Sequence, residues 1–153
     1  MKPDPTPNPT SISSMNTKAK FDDLHIGLAA VYDRVVQDGD IQLFAELSGD
    51  NNPVHLDAAF AETTRFKGRI AHGMLSAAFI SKVIGTQLPG EGAVYLEQNL
   101  RFKAPVRPGD GVRTTVTVTE LVPEKKRVRL QTICQVGDTV VIEGNATVMV
   151  PSS

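Results

Sequence analysis

Asp50 and His55 stand five positions apart in the segment Ser48-Gly49-Asp50-Asn51-Asn52-Pro53-Val54-His55. Seventeen residues beyond His55 the chain reads His72-Gly73-Met74 and runs on into an apolar stretch. A carboxylate and an imidazole that converge can hold one water molecule, take a proton from it and deliver a proton elsewhere. A helix beginning at glycine offers free amides and the positive end of its aligned peptide dipoles, which suit an oxygen gaining negative charge. Gly73 also lacks the Cβ that would obstruct a carbonyl coming close to such an amide. Together these are the parts for adding water across a double bond activated by a carbonyl. An isolated Asp-x4-His, by contrast, is an ordinary solvated turn, because Asp, Asn and Pro all form turns readily.

The elements around these residues decide whether they can meet. Pro53 has no amide and disfavours the α conformation at Asn52, so residues 50–55 are predicted to be an irregular turn that folds its two ends toward one point. Upstream, residues 29–36 read as a strand. Asp40 is the expected N-cap of a helix whose apolar positions Leu43, Phe44 and Leu47 recur until Ser48-Gly49 stops it. A short helical piece is expected over 57–63. Residues 73–86 are apolar on nearly every face, with Lys82 the only charge, so this helix is expected to be buried all round. Residues 94–103, 112–121, 127–136 and 139–150 are strand-length runs separated by turn residues. In one, Val128, Leu130, Thr132, Cys134 and Val136 alternate with Arg127, Arg129, Gln131 and Gln135. In another, Val140, Ile142, Gly144, Ala146, Val148 and Val150 share a face. Such alternation marks antiparallel strands with one packed side. The expected fold class is α+β, a long antiparallel β-sheet wrapped around a central buried α-helix.

With 153 residues the chain is long enough for one domain with a real core. Its 16 basic and 17 acidic side chains nearly cancel, so no broad field draws it to nucleic acid or an anionic membrane. No apolar run is long enough to span a bilayer. Cys134 is the single cysteine, which excludes an intramolecular disulfide and suggests a reducing, cytoplasmic setting. Three scattered His supply no metal-ligand spacing. Residues 1–20 carry Pro3, Pro5, Pro7 and Pro9 among polar residues and no secretory pattern; they are expected to be a disordered extension before a domain over 21–151.

The stretch from Ser48 through Asp57, then Arg69-Ile70-Ala71-His72-Gly73-Met74-Leu75, then Tyr95-Leu96-Glu97-Gln98-Asn99-Leu100-Arg101-Phe102, and Pro105-Val106 with Gly109-Asp110, resembles the MaoC-like (R)-specific enoyl-CoA hydratases. The likeness is greatest to the short bacterial hydratases that link fatty-acid β-oxidation to polyhydroxyalkanoate synthesis. It covers roughly residues 21–151. The resemblance implies a hot-dog fold and a homodimer with an acyl tunnel near the subunit interface. It implies (R)-specific hydration of trans-2-enoyl-CoA to (R)-3-hydroxyacyl-CoA, with no metal or redox cofactor, coenzyme A being part of the substrate. Asp50 and His55 then match the catalytic Asp-x4-His pair, and Gly73 the glycine whose amide faces the thioester oxygen. Ser81 matches a serine lining the catalytic pocket.

Further candidates rest on weaker grounds. Asn52 is a candidate for orienting the loop or touching substrate, and His72 for capping the helix or lining the site. Ile84 and Val148 are candidate tunnel walls. Arg65, Lys67 and Arg69 form a basic cluster that could meet phosphates. Ser76 reads as an ordinary helix serine, and Cys134 as an inert buried thiol. Competing functions are a 3-hydroxyacyl-thioester dehydratase acting on a carrier protein or coenzyme A, a hot-dog thioesterase, and a catalytically inactive acyl-CoA-binding subunit.

Overall fold

The alternating runs of the sequence form one five-stranded sheet in the computed structural model, which describes residues 16–151. Strands β1 (Ala29–Val35), β2 (Val94–Phe102), β3 (Gly111–Val122), β4 (Arg127–Val136) and β5 (Thr139–Met149) lie in the order β1-β3-β4-β5-β2. Every neighbouring pair is antiparallel. The helices are α1 (Asp38–Ser48), α2 (Pro53–Leu56), α3 (Ala58–Glu62) and α4 (Gly73–Thr86). The sheet curls around α4, which packs on β1, β3, β4 and β5. This is the expected hot-dog architecture.

On β4 the predicted alternation holds: Val128, Leu130, Thr132 and Cys134 are buried, while Arg127, Arg129 and Gln131 face water. On β5 it slips. The register with β4 shifts between Cys134 and Gln135, leaving Val141 as the extra residue of a bulge. Val141 and Ile142 are therefore both buried, and Val140 is only half-buried, contrary to the strict alternation read from sequence. These strands meet Ile80, Val83 and Ile84 of α4, each at most 2% exposed. Burying a side chain of that size contributes about 1.5–3 kcal/mol, so the helix–sheet seam dominates the core.

α4 departs from the all-round burial expected of it. Leu75, Ser76, Phe79, Ile80, Val83 and Ile84 are buried, but Met74, Ala78, Ser81 and Gly85 form an exposed stripe. The start of α1 differs too: Gln37 is its N-cap, and Asp40 sits three residues in, its carboxylate accepting from the Gln37 amide at 3.0 Å. Asp40 does satisfy a free amide, as expected, but from inside a capping box. The proposed boundary at residue 21 also moves. Residues 1–15 of the expected extension lie outside the described residues, whereas Thr17 N donates to Thr86 O at 2.8 Å and Ala19 N to Glu91 O at 2.9 Å.

Gly144 marks the closest approach within the sheet. A Cβ there would lie 1.9 Å from the Asn99 carbonyl oxygen on β2. That contact can be relieved only by moving backbone, which breaks the β2–β5 ladder. Gly144→Ala is expected to cost about 1–3 kcal/mol or more, seen as a lower urea midpoint with an unchanged m-value.

Candidate active site

Pro53 opens α2 rather than breaking a helix. At the first helical position its missing amide has no partner to lose, and its fixed φ already suits the turn. Asn52 caps this turn, its side-chain oxygen accepting from Val54 N at 3.2 Å. His55 thus rides on one helical turn, not on the irregular loop predicted, and is only 8% exposed. Asp50 precedes the turn with its side chain about half exposed, and its Oδ1 accepts from Asn52 N at 3.2 Å.

The two side chains converge. His55 Nδ1 lies 2.8 Å from the Ile70 carbonyl oxygen. A carbonyl can only accept, so Nδ1 carries the proton and Nε2 of the neutral ring holds a lone pair. His55 Nε2 is 4.0 Å from Asp50 Oδ2. That is too long for a direct hydrogen bond, but one water with two contacts of about 2.8 Å spans it at an angle near 90°. Burial holds the His55 pKa below the ordinary 6.5, and the neighbouring His72 adds to the depression, while the Ile70 hydrogen bond and Asp50 oppose it. The ring is therefore kept as free base.

Residues 69–73 bring these pieces into register with α4. Arg69 Nε donates to His55 O at 2.7 Å and its guanidinium pairs with Asp38. Ile70 O holds the His55 ring. His72 Nε2 donates to Asp50 O at 2.9 Å, and its ring stacks on His55 with centroids 3.9 Å apart. His72 occupies the N-cap position of α4 without any side-chain capping bond and is 2% exposed. It braces the Asp50 loop and does not cap the helix. Gly73 follows at once, so the helix start and the Asp50–His55 pair are fixed by one short strip of chain.

A cavity of about 340 Å³ opens beside this strip, lined by His72, Gly73, Met74, Ser76 and Phe102, with Arg65 and Lys103 also in its wall. A Cβ on Gly73 would come within 2.6 Å of two ring carbons of Phe102, so glycine here serves both packing and access.

Other sequence candidates fall elsewhere. Ser81 lies on the exposed stripe of α4, away from the cavity lining. Ile84 and Val148 are at most 2% exposed and belong to the core, so packing accounts for them within the protomer. Asn52 is engaged as a cap. Arg69 is held by Asp38 and His55, which removes it from the supposed phosphate cluster; Arg65 stacks over Phe66 and lines the cavity. Cys134 is fully buried, and burial pushes its thiol pKa up. Ser76, passed over in the sequence, lines the cavity; an all-apolar helix carries no signal of which face turns inward.

Asp50, His55 and His72 also bring potential ligand atoms within 4.8 Å of one another, a cluster that the scattered His did not reveal. Each ring already gives one nitrogen to a carbonyl, which leaves one lone pair apiece on the two stacked rings.

Residues 25–145 match the family model described as the MaoC like domain. The chain belongs to this family. The MaoC-like domain here is 59% identical over 132 residues to an (R)-specific enoyl-CoA hydratase of Rhodospirillum rubrum, covering 86% of this chain and 92% of that protein. It is 51% identical over 131 residues to a 3-hydroxybutyryl-CoA dehydratase of Methylorubrum extorquens, covering 86% and 83%. Among solved structures, the unliganded R-hydratase PhaJ1 of Pseudomonas aeruginosa superposes with a TM-score of 0.83 at 47% identity, covering 90% of this chain and 88% of that one. No helix of the described residues in this MaoC-like domain is long and apolar enough to cross a membrane.

Proposed function

We propose that this protein is an (R)-specific enoyl-CoA hydratase, a hydro-lyase that interconverts trans-2-enoyl-CoA and (R)-3-hydroxyacyl-CoA. The observation that carries the reading is the 4.0 Å gap between His55 Nε2 and Asp50 Oδ2 beside the start of α4. Water seated there gives a proton to the His55 lone pair as its oxygen bonds to the β-carbon. The π electrons move toward the thioester, whose oxygen gains charge against the Gly73 amide. A proton then returns to the α-carbon on the same face, and the carbonyl re-forms. Asp50 orients the water and stabilises the imidazolium. The relatives named as hydratase and dehydratase support both directions of this reaction. The residue roles are our assignment from this geometry, and no metal or redox cofactor takes part.

A homodimer fits the surface. Edge strand β2 exposes Val94, Tyr95, Leu96 and Phe102, and α4 exposes Met74 beside Ala78 and Ser81. A partner lying along this face would cover these apolar groups and bring Ser81 out of solvent. The proposed setting is cytoplasmic, with the acyl group passing between β-oxidation and polyhydroxyalkanoate synthesis.

The test is crotonyl-CoA with the purified protein. Loss of enoyl absorbance without free thiol supports hydration; thiol release would instead mean a thioesterase, and no reaction a binding subunit. Chiral analysis of the product tests the (R) assignment.

The pH dependence follows from His55. Protonation removes the base, and burial holds its pKa below 6.5, so the acid limb of kcat/KM should be centred below pH 6.5. An acid limb centred at or above 6.5 would remove His55 as base. Stability moves the same way: the unfolded chain takes up this proton first, so this contribution is complete above 6.5 and declines as pH falls toward the lower folded value.

A further inference from the structure

We propose that the Ser76 hydroxyl is a second donor to the substrate's thioester oxygen, acting beside the Gly73 amide; this rests on the hydratase reading. Ser76 is 1% exposed, and its Oγ is one of two buried side-chain polar atoms without a hydrogen-bond partner among the described residues. Helical hydroxyls usually return to the carbonyl one turn back. Thr86 in the same helix does so at 2.6 Å from Lys82 O, and Ser48 in α1 does so to Phe44 O at 2.6 Å. The other buried hydroxyls are also engaged: Thr114 with Cys134 Sγ and Thr132 with Gln98. Ser76 is left with a donor to spare.

Its position gives that donor a use. Ser76 lines the same cavity as Gly73 and lies three residues on, on the adjoining turn of α4. Side chains on a helix lean toward its N-terminus, so the Ser76 hydroxyl leans back over the turn that Gly73 begins. The cavity otherwise presents mainly apolar groups on this side, including Met74, Phe102 and Ile142. A ligand oxygen at the helix start can therefore accept from Gly73 N–H and from Ser76 O–H. As charge builds on that oxygen during water addition, both bonds strengthen. The hydroxyl keeps its proton throughout, and no bond to serine forms.

Ser76→Ala tests this. The variant should keep or raise the wild-type Tm, because it removes a buried hydroxyl that nothing among the described residues satisfies. Its kcat/KM for crotonyl-CoA should nevertheless fall on the order of 10²-fold. A binding comparison isolates the contact. Butyryl-CoA has the thioester oxygen but no double bond, and S-butyl-CoA, a thioether, has neither. The preference of the wild type for butyryl-CoA should shrink in Ser76→Ala by on the order of tenfold. Unchanged kcat/KM, or an undiminished thioester preference, would overturn the proposal, as would equal weakening of both ligands with a lowered Tm. If wild-type protein leaves crotonyl-CoA unreacted, the hydratase reading fails by itself, and the thioester preference still judges Ser76.

Discussion

His55→Asn is expected to lower kcat for crotonyl-CoA hydration by about 10²–10⁴-fold, the usual contribution of a positioned acid–base group. Asparagine is the informative replacement because its side-chain amide can still donate to Ile70 O from near the Nδ1 position, while nothing replaces the Nε2 lone pair. His55→Ala loses the same activity and stability besides. It leaves a space where a buried ring stood and strips the Ile70 oxygen of its donor, a loss of about 1–3 kcal/mol. Asp50 behaves differently. Its side chain is about half exposed and spans no core contact, so Asp50→Asn should cost comparable turnover with a Tm near that of wild type. Steady-state kinetics and thermal melts on the three variants check this pattern. Activity within several-fold of wild type in His55→Asn or Asp50→Asn would defeat the assignment of the pair.

Gly73→Ala has the second large effect. Its methyl would meet the Phe102 ring at 2.6 Å, closer than real contacts allow. Phe102 is 56% exposed in the protomer, so its ring can swing away without unfolding the chain that carries it. The methyl stays, however, between the helix amide and an approaching carbonyl. The expected loss is roughly 10²–10³-fold, falling on kcat more than on KM because the amide acts mainly on developing charge. Gly73→Ala combined with Phe102→Ala separates the two causes. If the methyl blocks approach, removing the ring restores little; full recovery would assign the loss to the displaced ring and free Gly73 of a role in the chemistry.

The variants touch residues whose legibility in the sequence was uneven. Asp50, His55 and Gly73 could be chosen once the flanking motifs were set beside the family they resemble, and α4 by its apolar run. The strand β4 followed from alternation, because period-two patterning is a local property of the chain, and β3 from a strand-length run between turn residues. The sequence predicts an irregular turn at 50–55 where the structure has a helical turn over Pro53–Leu56, since Pro53 can either end a helix or begin one. Only the fold of the segments on either side shows which. The β5 bulge was invisible because Val140, Val141 and Ile142 are equally apolar, and pairing with Cys134 and Gln135 alone selects which two turn inward.

What the sequence determined by itself was the inventory: an antiparallel sheet, one apolar helix, an acid, an imidazole and a glycine at a helix start. Tertiary structure decided how they meet. The 4.0 Å approach of His55 to Asp50 and the stacking of His72 on His55 join residues from separate elements, held by the strip 69–73. The choice between Ser76 and Ser81 shows the limit most clearly. Five residues on an α-helix turn the side chain by about 140°, so the two serines face different ways. A helix apolar on almost every side gives its own sequence no preferred phase. Packing against the sheet supplies that phase, turning Ser76 toward the cavity and Ser81 toward solvent.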